Sequence, residues 1–175
     1  MDNRKIGLLD SGLGGLTCAR ELMLILPRES FVYFGDTGRV PYGSRSRRII
    51  EKYTRQDISF LLSHDIKALI VACGTISSSV LGDIKDEYDI PMIGVVEPAC
   101  EFAARSTKNK KIGIIGTNAT IKSAAYEEYI KTICGKCEVF KASCPLFVPL
   151  VESGRFSKDD ELVKHVIRDY LAPIK

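Results

Sequence analysis

The chain has 175 residues and a mass of 19.4 kDa, with 45% apolar residues, 27% charged residues and a net charge of +3. At roughly 150 residues per domain this is about one domain or two small ones, long enough to bury roughly 70% of its unfolded surface without staples. The balance excludes a disordered chain, a collagen-like repeat and a coiled coil, and so small a charge with no dense basic stripe argues against nucleic acid as a partner.

Short β-rich apolar runs alternate with longer helical stretches. Lys5–Leu9 reads as a strand, followed by a Gly-rich turn and a helix from about Gly15 to Leu26. Pro27 ends that helix, because it lacks an N–H and clashes with the preceding turn. Phe31–Phe34 is a second strand, Asp36–Ser46 a polar loop and Arg47–Ser63 a helix. Lys67–Ala72 is a third strand, Ser77–Tyr88 a helix and Met92–Val96 a fourth strand. The pattern then restarts. A short helix opens at Glu97 and runs to about Arg105, Lys111–Ile115 is a strand, Ile121–Ile133 a helix and Glu138–Ala142 a strand. The last helix is expected over Ser157–Leu171, with Ser157 and Asp160 as a capping box.

Strand–helix alternation with near-continuous apolar strands means α/β architecture with parallel sheets and helices on both faces. The restart divides the chain into two units, a first α/β domain over residues 1–97 and a second over residues 98–175. A strand should follow the last helix, so the second unit is expected to be incomplete.

No apolar run approaches the roughly 18 residues of a membrane span, and MDNRKIGLLDSG leads directly into a strand without a secretory signal. The protein is therefore expected in the cytoplasm, with its six cysteines as reduced thiols.

In open parallel sheets ligands bind beyond the carboxyl ends of strands. The loops there are Asp10–Gly15, Gly35–Thr37 with Pro41–Ser44, Cys73–Thr75 and Gly116–Thr120. The glycines Gly12, Gly14 and Gly15 with Asp36 mimic a dinucleotide fingerprint, but its third glycine position holds Thr17 and Asp10 opposes a pyrophosphate. Asp10 and Ser11 instead offer a carboxylate and a hydroxyl at a helix entrance. The plainer alternative is a tight turn with Ser11 as a cap.

Cys73 ends a buried strand just before a helix, a position that favours the thiolate and would make it a base or nucleophile. The competing reading is inert packing. Neither His64 nor His165 stands where it would activate a thiol. Cys134–Cys137 is a CxxC pair that closes a helix rather than opening one, which disfavours a thioredoxin-like role, and no fourth ligand completes a zinc site. No metal site is therefore expected. Arg39, Arg45, Arg47 and Arg48 form either a solvated helix start or a source of positive potential for an anion.

Taken together the loops carry a resemblance. Leu9–Thr17 (LDSGLGGLT), Tyr33–Thr37 (YFGDT), Val40–Gly43 (VPYG), Val71–Cys73 (VAC), Ile115–Thr117 with Thr120, and Cys144–Glu152 (CPLFVPLVE) resemble, in order and over essentially the whole chain, the glutamate racemases of the aspartate/glutamate racemase family. The resemblance implies two α/β domains around one site, no cofactor, and interconversion of L- and D-glutamate to supply D-glutamate for peptidoglycan. Such chemistry needs two acid/base groups on opposite faces of a carbanion.

By resemblance Cys73 is the first of these groups. Asp10, Ser11, Pro41, Tyr42, Gly43, Gly74 and Thr75 would bind the substrate, with Thr117, Thr120 and Glu152 across the cleft. Two departures are visible. Gly74 stands where the family has Asn, which should cost about 1.5–3 kcal/mol of binding to a charged substrate. The family's second cysteine, in a Cys-Thr-His motif, does not occur in these residues, so the chain is expected to be C-terminally incomplete. Alternatives are a non-catalytic remnant that binds an acidic amino acid or a partner protein, and a racemase for aspartate or another acid. An uncovered sheet edge would favour a homodimer.

Overall fold

A computed structural model describes residues 2–174. The first sheet is built from β1 (Lys5–Asp10), β2 (Phe31–Gly35), β3 (Ile66–Val71) and β4 (Met92–Gly94), in the order β2-β1-β3-β4 with every pair parallel. Leu9 of β1 pairs with Phe34 on one side and Val71 on the other. Adjacent residues of β1 point to opposite faces, and both Leu8 and Leu9 are fully buried, so this sheet is covered on both sides. The chain leaves β1 for β2 on one side and returns to β3 on the other. The loops after β1 and β3 therefore part at a switch point in strand order, where a crevice opens.

Helices α1 (Leu16–Ile25) and α2 (Arg47–Leu62) link these strands. Ile50, Ile58 and Leu61 of α2 pack with Leu9, Leu69 and Val71 in the main core. After β3 the helix starts at once, as α3 (Gly74–Ser79), and does not wait for Ser77. It breaks at Val80, whose φ of −138° is not helical, then continues as α4 (Leu81–Ile84) and a 3-10 turn over Lys85–Glu87. One expected helix is thus three short pieces.

The second sheet is β5 (Lys111–Gly116) with β6 (Glu138–Ser143), again parallel. Ile112 and Ile114 are buried while Lys111, Gly113 and Ile115 are exposed. The buried side packs on α5 (Val96–Ser106) and α7 (Ala125–Ile133) through Val96, Cys100 and Ile130. The helix expected over Ile121–Ile133 is divided into α6 (Asn118–Ser123) and α7 by Ala124, which takes φ +59°. Helix α8 (Phe147–Glu152) carries Pro149 in its first turn, where its missing N–H removes no bond. Helix α9 begins at Glu161, not Ser157, and runs to Leu171. Asp160 caps it by accepting from the Leu162 and Val163 amides at 3.0 and 3.3 Å.

Cys134 and Cys137 are joined in a disulfide, contrary to the expectation of six free thiols; the turn closing α7 brings their Cα atoms to 5.5 Å. Cys18, Cys73, Cys100 and Cys144 are free. Among the described residues no helix is long and apolar enough to cross a membrane.

Candidate active site

Asp10 ends β1 and is buried, and its Oδ2 accepts the amide N–H groups of Gly12 and Gly15, each at 3.1 Å. The carboxylate thus fills the backbone cradle in which a dinucleotide would place its pyrophosphate. Gly15 is required by close approach, since a Cβ there would stand 2.7 Å from Asp10 Cβ and 3.0 Å from Ala72 Cβ.

Across the switch point Cys73 follows β3, almost fully buried, with Sγ 3.3 Å from Ser11 Oγ and 3.5 Å from the Ile76 amide that donates to it. Burial, then the negative charge of Asp10, pushes the thiol up to about 11; Ser11 and the Ile76 N–H pull the other way without prevailing. This overturns the expected depressed thiol. Helix α3 has six residues, and a single amide of its first turn reaches the sulfur. Desolvation of the thiolate outweighs so short a dipole.

The opposite wall comes from the second unit. Thr75 Oγ1 lies 2.9 Å from Thr117 Oγ1, which lies 3.0 Å from Thr120 Oγ1. The three hydroxyls form a row that crosses from α3 to α6. Glu152, at the end of α8, reaches back to accept the Leu13 amide at 2.8 Å. Between these walls is a cavity of about 330 Å³ bordered by Asp10, Ser11, Cys73, Thr75, Thr117 and Glu152. Gly74 and Thr120 also face it.

The structure places Pro41, Tyr42 and Gly43 outside that lining. Tyr42 is 1% exposed and its hydroxyl lies 2.5 Å from Asp36 Oδ2 and 2.8 Å from Asp57 Oδ2. Gly43 stands behind Thr117: its carbonyl accepts the Ala119 amide at 3.0 Å, and a Cβ on it would come within 2.3 Å of Thr117 Cβ. Arg39 is not a solvated helix start either, because it pairs with both Asp36 and Asp57. Arg47 pairs with Asp83.

Two further lining residues were not among the expected site residues, although Cys144 opens the CPLFVPLVE motif. Tyr126 reaches the cavity because the break at Ala124 puts it in the first turn of α7; its hydroxyl would be 3.7 Å from a Cβ at position 74, and burial pushes it up to about 12. Cys144 follows β6 and lies buried at the cavity wall, its thiol raised by desolvation. Neither histidine borders it: His64 packs on Phe60, and His165 lies 3.4 Å from Asp169. Among the described residues no group of three or more His, Cys, Asp or Glu could hold a metal ion.

A thiol and a carboxylate thus stand on two loops of a parallel-sheet switch point, beside hydroxyls from both α/β units, around one small cavity. Comparison with known proteins gives the particular family. The Asp/Glu/Hydantoin racemase model matches residues 37–173, and the chain belongs to that family. It is 49% identical over 177 residues to a glutamate racemase of Lactococcus lactis subsp. cremoris, covering 99% of this chain and 64% of that protein. A glutamate racemase of Streptococcus thermophilus is 45% identical over 174 residues, with the same coverage. Among solved structures, a glutamate racemase of Bacillus anthracis superposes with a TM-score of 0.94 at 37% identity, covering 99% of this chain and 65% of that one. A Francisella tularensis glutamate racemase in complex with D-glutamate gives 0.90 at 39%, with the same coverage. The chain thus spans about 64% of the length of the curated relatives it matches.

Proposed function

We propose that this chain belongs to a glutamate racemase and carries the half-site that moves a proton at the substrate's α-carbon. The observation that carries the reading is Cys73 beside Ser11 at 3.3 Å in the cavity that Asp10 shares. Cys73 takes the α-proton of one enantiomer as thiolate and returns one as thiol. Asp10 orients the ammonium, whose positive charge offsets the carboxylate's upward push on the thiol. Ser11, Thr75, Thr117 and Thr120 offer hydroxyls to the carboxylates, and Gly74 leaves room beside them. Glu152 closes the far wall. Pro41, Tyr42 and Gly43 enter as the strut that holds Thr117. The reaction needs no cofactor, because a carbanion reprotonated from either face requires only two acid/base groups.

In the same reading the boundary between the two α/β domains falls between β4 and α5, close to Glu97, since Val96 already packs in the second core. A cytoplasmic location and a homodimer complete the proposal. The outward Leu24 and Ile25 of α1, 66% and 70% exposed, support the dimer.

The test is proton NMR of L- and D-glutamate with the protein in D₂O, with chirality followed in parallel. Loss of the α-proton signal, abolished by Cys73→Ser, supports the reading. A second reading, binding without exchange, is favoured by a thiol held protonated well above neutrality. It would show as a glutamate-induced thermal shift with an intact α-proton signal. A larger shift with aspartate would reassign the substrate.

A further inference from the structure

Behind the strut lies a buried cluster that the proposed chemistry does not use. Tyr42 and Asp57 are each 1% exposed and Asp36 is 7% exposed. The phenol oxygen lies 2.5 Å from Asp36 Oδ2 and 2.8 Å from Asp57 Oδ2. A phenol has one proton, whereas ionised carboxylates only accept. Two full-strength hydrogen bonds at one phenol oxygen call for a second proton on one of the carboxyls; the alternative is a single phenol proton divided between two carboxylates.

Charge counting leads to the same place. Arg39 Nε lies 2.5 Å from Asp36 Oδ2, and its Nη2 donates to Asp57 Oδ1 at 2.7 Å. Its Nη1 donates to Gln56 at 2.6 Å, and its guanidinium lies 4.2 Å from the centre of the Tyr53 ring. One cation faces two acids. If both acids ionise, a net negative charge is buried; if one keeps a proton, the cluster is neutral, the cheaper state away from water. The groups facing Asp57 are Asp36, Arg39 and Tyr42 from the loop, with Tyr53 of α2 packed against Arg39 and Tyr42. The strands packed in this core contribute apolar side chains such as Leu9 and Val71.

We propose that Asp36 and Asp57 share one proton through the Tyr42 hydroxyl, and that this proton sets the position of the Pro41–Gly43 strut against Thr117. Asp36 and Asp57 are then positioning residues: they touch no substrate but act through Tyr42 and Gly43 on the threonine row. Burial pushes Asp57 up to about 6, so the shared proton leaves within the physiological range. The midpoint belongs to the cluster rather than to one carboxyl. Only the last step, from Thr117 to a bound amino acid, rests on the racemase reading.

The test has two arms that need no activity. In the first, ¹³C-aspartate-labelled protein is followed by infrared spectroscopy from about pH 5 to about pH 8, spanning the raised carboxyl. A protonated-carboxyl C=O band is expected at the acid end, fading with a midpoint near 6. It should be absent in Asp57→Asn and shifted to higher pH in Tyr42→Phe, which loses the hydroxyl that holds Asp57 down. In the second arm, the Gly43 and Ala119 amide signals are followed by ¹⁵N NMR. They should titrate with the infrared midpoint in the wild type and stay flat in Asp57→Asn. No protonated band in the folded wild type, meaning one phenol proton bifurcated over two carboxylates, overturns the proposal. So do Gly43 and Ala119 signals that ignore the band's midpoint. If Asp57→Asn does not fold, Asp36→Asn takes its place. Failure of glutamate to bind at any pH would sink the racemase reading and leave both arms to decide this one.

Discussion

The Leu13 amide donates to Glu152 Oε1 at 2.8 Å, so the loop after the first strand is latched to a helix 139 residues later in the chain. Leu13 is 44% exposed, and Glu152 borders the cavity. The role of the latch is to hold two walls together more than to stabilise either.

Glu152→Ala should therefore cost only about 1 kcal/mol in urea unfolding, the usual net value of a hydrogen bond, while weakening glutamate binding several-fold. Glu152→Gln keeps an acceptor oxygen and should restore most of the binding. Calorimetric titration with glutamate distinguishes the two variants.

The raised Cys73 thiol makes a pH prediction whose sign is fixed. The thiolate is the deprotonated form, so its fraction rises about tenfold per pH unit until the pH passes the folded value of about 11. Alkylation of Cys73 by iodoacetamide in the free protein should climb steadily from about pH 7 to about pH 10 without a plateau. A plateau below about pH 9 would mean that the helix end governs this thiol after all.

Cys73→Ser should leave the melting temperature nearly unchanged, because the hydroxyl retains contacts with Ser11 and the Ile76 amide. Isotope exchange at the α-carbon should fall by about 10²–10⁴-fold, the usual loss on removing a general base. Exchange measured in D₂O at equal protein concentration checks this.

Gly15→Ala should destabilise the fold by about 1–3 kcal/mol, as overpacking does. Its new methyl would press on the side chains of Asp10, the last residue of β1, and Ala72, whose amide donates to the Leu9 carbonyl at 2.8 Å. Gly74→Asn is the opposite case. The nearest atom to a Cβ there is the Tyr126 hydroxyl at 3.7 Å, so the first side-chain carbon meets only ordinary contact. Glutamate affinity should then rise by about tenfold, since one hydrogen bond to a charged ligand is regained. A denaturation curve and a binding isotherm, respectively, read these two outcomes.

The strand-end loops could be read from the sequence because parallel strands put every C-terminal loop on one rim of a sheet. That rule brought Asp10, Ser11, Cys73 and Thr75 together without any contact being known. Apolar runs such as Lys5–Leu9 and Lys111–Ile115 located their strands to within one residue, because a strand buried on either face must be apolar there. Helix interruptions were not legible. Ala124 at φ +59° has no local signature, since alanine ordinarily favours helix; tertiary packing overrides its propensity and thereby carries Tyr126 to the cavity.

Residue types and their spacing thus determined the architecture, the family resemblance and which loops carry chemistry, since these follow from local periodicity and chain order. The tertiary structure decided how each group is solvated and which partner it meets. Burial raised Cys73 where the helix end alone argued for lowering it. Folding turned Tyr42 away from the cavity onto Asp36 and Asp57, and it tied Glu152 to Leu13. Desolvation and contacts between distant segments depend on the packed three-dimensional surroundings, to which a linear pattern has no access.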